Sequence, residues 1–207
     1  MEPVSTLSTG LVEWGAAGLA LPGQAETGDR HVVQPFAGGV LAAVVDGLGH
    51  GHEAAEAARI AVATLEQFPF EPLPTLFRRC HERLRGTRGV VMSAASFRAG
   101  ERTMLWLGVG NVEGLMKRAT PGTPSSDRIL LRGGVVGGYL PRLDVSLLPA
   151  HPGDVLIFAS DGIRGSFAEE EVRTLPPQQA ADRILAHHVR GTDDALVLVV
   201  RYLGGGL

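Results

Sequence analysis

The sequence predicts an α+β domain in which antiparallel sheets are buried beneath a few helices. Three observations carry that expectation. A series of Val-, Leu-, Ile- and Ala-rich stretches is bounded by Gly, Pro, Asn or Asp, as buried strands are. Helical spacing is confined to a few segments. Strands and helices do not alternate in the regular βαβ manner of a parallel nucleotide-binding sheet.

The elements follow in chain order. "LVEWGAAGLAL" (11–21), "RHVVQPF" (30–36) and "VLAAVV" (40–45) read as strands. Over 52–68, Ala54, Ala58, Ala61, Leu65 and Phe68 form one apolar stripe at helical spacing, which stops at Pro69. A second helix is predicted over 72–84, after the turn in "FPFEPLP" (68–74). "GVVMSAASF" (89–97), "TMLWLGV" (103–109), "VEGLMKR" (112–118), "RILLRGGVV" (128–136) and "DVLIFAS" (154–160) are further strands, with a turn at "TPGTPSSD" (120–127). "EEE" (169–171) is expected to start a helix and complement its dipole. A helix over 178–188 precedes the last strand, "ALVLVVRYL" (195–203).

Length and composition exclude several classes. The 207 residues suit one well-cored domain, taken here as 1–207. A net charge of −3 with no polybasic block argues against nucleic acid or an anionic membrane as partner. No apolar run approaches the ~20 residues of a membrane span. The N-terminus carries no secretory signal, and the one cysteine, Cys80, excludes an internal disulfide, so a cytoplasmic protein is expected. Position 86 is Gly, whereas a cysteine-based phosphatase would need Arg six residues after Cys80; the thiol is therefore read as packing.

The aspartates are placed more tellingly. Asp46 ends "VLAAVV" and precedes Gly47; Asp161 ends "DVLIFAS" and precedes Gly162; Asp193 and Asp194 open the last strand; Asp29 stands just before the second. A carboxylate at the end of an apolar strand lies close to the core, where charge is costly. Several held together repel one another unless a cation intervenes. Short, hard, oxygen-only donors suit Mg²⁺ or Mn²⁺ better than Zn²⁺. A lone strand-end Asp-Gly is more often a turn or a cap, but two copies plus Asp-Asp shift the balance toward a shared metal site. His50 and His52 form an H-x-H with no third zinc ligand placed to help, and His187 and His188 are read as cations at a helix C-terminus.

"VVDGLGHGHEAAEAA", "LIFASDGI" and "GTDDALVLVV", in that order, resemble the metal-dependent protein serine/threonine phosphatases of the PPM (type 2C) superfamily. "GDRHVV" and "GVGNVEG" look like that family's first Asp motif and its central Gly-Asn turn. The Gly-His form of the second motif is closest to the bacterial SpoIIE/RsbU/RsbX branch. A free-standing domain of this size is similar to the stressosome phosphatases of that branch, the RsbX type. The resemblance implies a four-layer αββα sandwich of two antiparallel sheets flanked by helices. It implies two Mn²⁺ or Mg²⁺ ions about 3.5–4 Å apart, with room for a third. Asp46 would bridge them, the Gly47 carbonyl would bind one, Asp161 and Asp194 would hold the other, and Asp29 would contact coordinated water. Asp46, Asp161 and Asp194 would be the catalytic set. The implied partners are phosphorylated STAS-domain proteins of a stressosome-like complex, with the enzyme a monomer.

The eukaryotic phosphate-binding Arg position falls on Gln24, so another group must receive the substrate phosphate. Candidates are Arg30, His50, Arg164 and the positive end of the helix that begins at His52. Two rival functions remain. An ATP-binding kinase would need Gly at position 48, which is Leu. A catalytically inactive binding module of the same fold would bind partners without hydrolysis.

Overall fold

Strands that bury both faces need cover on both sides, and this chain supplies it by stacking two sheets between helices. The computed structural model describes residues 7–120, 126–129 and 131–204. In chain order the elements are β1 (Leu7–Ser8), β2 (Val12–Leu19), β3 (Asp29–Phe36), β4 (Gly39–Gly47), α1 (His52–Gln67), α2 (Leu73–Arg83), β5 (Val90–Arg98) and β6 (Thr103–Val109). There follow β7 (Glu113–Lys117), β8 (Ser126–Asp127), β9 (Ser146–Pro149), β10 (Val155–Ala159), α3 (Pro177–His188) and β11 (Ala195–Tyr202). One sheet has the order β1-β2-β11-β10-β7-β8 and the other β3-β4-β5-β6-β9. All pairings within them are antiparallel.

Side-chain alternation on β4 builds the layers. Val40, Ala42 and Val44 point between the sheets, into a core with Phe97, Trp106, Leu156, Phe158, Leu198 and Val200. Leu41, Ala43 and Val45 point the other way, onto Ala58, Ala61 and Leu65 of α1 and Phe77 of α2. A third apolar layer joins Ile157, Val197 and Val199 to Ala180, Ala181 and Ile184 of α3. The result is the expected αββα sandwich. Trp106 meets the edge of Phe158 at 5.6 Å between ring centroids. Cys80 is buried within α2, and burial pushes its thiol up to about 12, which suits packing and not nucleophilic chemistry.

Two local expectations fail. "RILLRGGVV" forms no strand among its described residues; it makes only the isolated bridges Val109↔Arg132 and Val90↔Val136, interrupted by two glycines. The neighbour of β6 is instead the short β9, whose half-exposed edge pattern gave little sequence signal. "EEE" starts no helix. A 3-10 turn covers Gly165–Glu169, and α3 begins at Pro177, where proline is favoured because its missing N–H is not needed. The turn predicted across 120–127 lies partly outside the described residues, at 121–125.

Candidate metal centre

Asp29 opens β3 and Asp46 nearly closes β4, and the antiparallel register sets the two directly opposite. Alternation sends Asp46 to the same side as Val44, between the sheets. In the other sheet β10 and β11 pair with Ala159 opposite Val197, so the loop after β10, with Asp161, adjoins the residues before β11, Asp193 and Asp194. Four chain segments thus deliver five aspartates to one edge of the sandwich.

The glycine after each strand-end aspartate has a packing reason. A Cβ on Gly47 would stand 2.2 Å from the carbonyl oxygen of Ala54, in the first turn of α1. On Gly162 it would stand 1.9 Å from the carbonyl oxygen of Asp194. Each glycine lets a second backbone press against the chain directly after the acidic residue.

The electrostatics of this edge are unfavourable in the protein alone. Burial, then the charges of Asp29, Asp161, Asp193 and Asp194, push the Asp46 carboxyl up to about 9, and among the described residues no donor or cation opposes them. Asp29 is pushed up to about 7, chiefly by burial, with the repulsion of Asp194, Asp161 and Asp193 added; the Ser160 hydroxyl donates to its Oδ2 at 2.6 Å and works the other way. Burial and then Asp193 raise Asp161, opposed by Asn111, whose Nδ2 donates to Asp161 Oδ2 at 2.9 Å, and by Arg190. No three of these carboxylates bring oxygens within 4.8 Å of one another, as expected of like charges. A hard divalent cation is what would draw them together, so the donor set fits Mg²⁺ or Mn²⁺.

The two residues of the Asp193-Asp194 pair have different surroundings. Asp194 was expected as the ligand. Its Oδ1 accepts the N–H of Leu21 at 2.7 Å and its Oδ2 that of Gly28 at 2.6 Å, so it pins the 21–28 loop beneath the cluster. Asp193 is the carboxylate whose charge reaches Asp161. The reason is local: Asp194 precedes β11 and turns inward, buried, whereas Asp193 is partly exposed at the mouth.

The phosphate candidates also separate. Arg30 shares the parity of Val32 on β3, so the pleat turns it to the helix-covered face, away from the carboxylates. Its Nε is buried there without a hydrogen-bond partner, and Arg30 is set aside. His50 and Arg164 are exposed, in the Gly-rich loop before α1 and just after the Asp161 loop. A cation that sequence reasoning missed, Arg88, pairs with Glu53 and lies over the Gly-rich loop: a Cβ on Gly49 would be 2.6 Å from its Nη1. Ser160 and the role of Asn111 were missed as well. Asn111 had a visible signal in its Gly-Asn turn; Ser160, placed before Asp161, had none.

Comparison with known proteins agrees with this architecture. The model of the family described as Stage II sporulation protein E (SpoIIE) matches residues 37–203. A chain from a structure of the bacterial stressosome, a modular system adapted to control secondary messenger signalling, is 30% identical, with a TM-score of 0.83 over 92% of this chain and 99% of that one. The crystal structure of RsbX in complex with magnesium matches at 18% identity and a TM-score of 0.81, over 96% of this chain and 98% of that one. The catalytic domain of the serine/threonine protein phosphatase PstP, in complex with 2 manganese ions, matches at 18% identity and a TM-score of 0.71, over 93% and 99%. A search of curated protein sequences finds no match. The chain belongs to the SpoIIE family and has the fold of RsbX and of the PstP phosphatase domain. Among the described residues no helix is long and apolar enough to cross a membrane.

Proposed function

We propose that this chain is a divalent-metal-dependent protein phosphatase that hydrolyses phosphoserine or phosphothreonine on STAS-domain proteins of a stressosome-like complex in the cytoplasm. The observation that carries the chemistry is the convergence of Asp29, Asp46, Asp161, Asp193 and Asp194 at one edge, where burial and the neighbouring carboxylates raise Asp46 to about 9. The 30% identity to a chain of a stressosome structure supports the substrate class.

In this reading Asp46, the Gly47 carbonyl, Asp161 and Asp193 would hold two Mg²⁺ or Mn²⁺ ions. When bound, such ions lower the pKa of water and neutralise charge that builds on phosphoryl oxygens. The protein supplies position. Ser160 fixes the Asp29 carboxylate, which would take a proton from the attacking water. Asn111 fixes Asp161, and Asp194 fixes the loop that carries Asp29. Exposed His50, Arg164 and Arg88 stand around the mouth, where a phosphoprotein could present its phosphate.

The test is release of phosphate from p-nitrophenyl phosphate and from phosphorylated STAS proteins, with and without Mn²⁺, with the dephosphorylated site located by mass spectrometry. Hydrolysis that requires the metal is expected. No turnover with Mg²⁺, Mn²⁺ or any other divalent ion would replace this reading with an inactive binding module.

A further inference from the structure

Glu170, His187 and His188 lie outside the aspartate cluster and play no part in the chemistry above. Among the described residues, they are the group of His, Cys, Asp and Glu side chains whose donor atoms all fall within 4.8 Å of one another. We propose that they form a second metal site, selective for a zinc-class transition ion, with water completing the coordination.

The argument begins with spacing. Glu170 Oε2 lies 3.2 Å from His187 Nδ1 and 3.0 Å from His188 Nε2. Ligands about 2.0–2.1 Å from a tetrahedral zinc are separated from one another by roughly 3.3 Å. Small rotations of the side chains would therefore open the pocket to an ion without moving backbone. Complementing the α3 dipole would require only two cations near its end. It would not require both rings to converge on one oxygen of a carboxylate 17 and 18 residues upstream.

The supporting contacts are those of a ligand set. Arg183 Nε donates to the other oxygen, Glu170 Oε1, at 2.8 Å. Ser166 Oγ is 3.0 Å from the other ring nitrogen of His188, Nδ1. Partners of this kind hold a metal ligand in orientation and fix the imidazole tautomer. Binding leaves His188 neutral: Nε2 gives up its hydrogen to face the ion, and Nδ1–H donates to Ser166. The Glu170 and His188 side chains are 14% and 13% exposed, and that of His187 is 54% exposed, so an ion can enter past His187. Two imidazoles and one carboxylate are softer donors than the all-oxygen aspartate cluster, which favours zinc, cobalt or nickel over magnesium. Arg183 cancels part of the carboxylate charge, so affinity should fall below that of closed structural zinc sites. The backbone of this site is tied to the Asp161 loop, since Arg164 N donates to the His188 carbonyl at 2.8 Å and Ile163 bridges Val189.

The test is equilibrium dialysis of the full chain against zinc, with excess Mg²⁺ present to occupy the aspartate centre, followed by metal analysis. One zinc should be retained per chain. Glu170→Gln, His188→Gln and His187→Gln should each weaken retention at least tenfold, and Asp46→Asn should leave it unchanged. The exposed His187 variant serves if either of the other two fails to fold. Cobalt in place of zinc should give the intense visible absorption of a tetrahedral, nitrogen-ligated ion. No zinc retained by the wild type, or retention untouched by His187→Gln, would overturn the proposal. It stands or falls independently of the phosphatase reading, which is tested by hydrolysis.

Discussion

Replacement of Asp46 by Asn removes one negative charge from the cluster and keeps the side chain's shape. In metal-free protein the Asp46 carboxyl is pushed from 3.8 up to about 9, by burial first and then by four neighbouring aspartates. Folded Asp46 therefore keeps a proton that the unfolded chain has lost. Its contribution to stability is complete below about pH 4 and disappears as the pH rises through about 9. At about 1.36 kcal/mol per pKa unit, a shift of about five units has a ceiling of roughly 7 kcal/mol. That rivals the whole stability of an ordinary domain, about 5–15 kcal/mol, so loop relaxation and water entry must reduce it. A remaining effect of about 2–3 kcal/mol corresponds to roughly 5–10 °C in Tm for a domain of this size. The assay is thermal unfolding by circular dichroism of chelator-treated wild type and Asp46→Asn at pH 5 and pH 9. The variant should be the more stable at pH 9, with little difference at pH 5. Saturating Mn²⁺ should raise the Tm of the wild type far more than that of the variant and should support hydrolysis only in the wild type. A variant no more stable than metal-free wild type at pH 9 would refute the claim that Asp46 sits among uncompensated carboxylates.

Further outcomes follow from the same geometry. Asp194→Asn presents an NH₂ donor to one of two backbone N–H groups and should cost about 1.5–3 kcal/mol in urea unfolding, because a hydrogen bond to a charged acceptor is lost. Asp193→Asn should unfold like wild type yet lose most metal-dependent turnover; the reverse pattern would return the ligand role to Asp194. Asn111→Ala should weaken Mn²⁺ activation by about 10–100-fold in a metal titration, as loss of a contact that orients a ligand does. Gly47→Ala places a methyl 2.2 Å from the Ala54 carbonyl oxygen, and backbone cannot rotate aside; a loss of about 1–3 kcal/mol is expected in thermal unfolding.

Different parts of the molecule were legible in the sequence to different degrees. The central strands were plain because both their faces are buried, so β4, β5, β10 and β11 read as unbroken apolar runs. α1 was plain because its buried face is mostly alanine at helical spacing. Edge elements were not. β9 is four residues long and half exposed, and "RILLRGGVV" had the composition of a strand but not the partners. Strand-end aspartates were informative without being decisive. Asp154, also at the start of an apolar strand, is a buried staple instead: it pairs with Arg118 at 2.8 Å and accepts backbone N–H from Ala119 and His151.

The sequence by itself determined the layered class, the main strands, and that Asp-Gly recurs where apolar runs stop. Those properties are local: they depend on spacing along one chain and on what each side chain costs to bury. Tertiary structure alone decided that Asp194 is tied to the backbone of Leu21 and Gly28 while the charge of Asp193 reaches Asp161, that Arg30 lies on the wrong side of its sheet, and that Glu170 meets His187 and His188. Each depends on the direction a side chain takes once strands from distant segments have fixed their register, and a pleat that alternates with every residue turns a shift of one position into the opposite face.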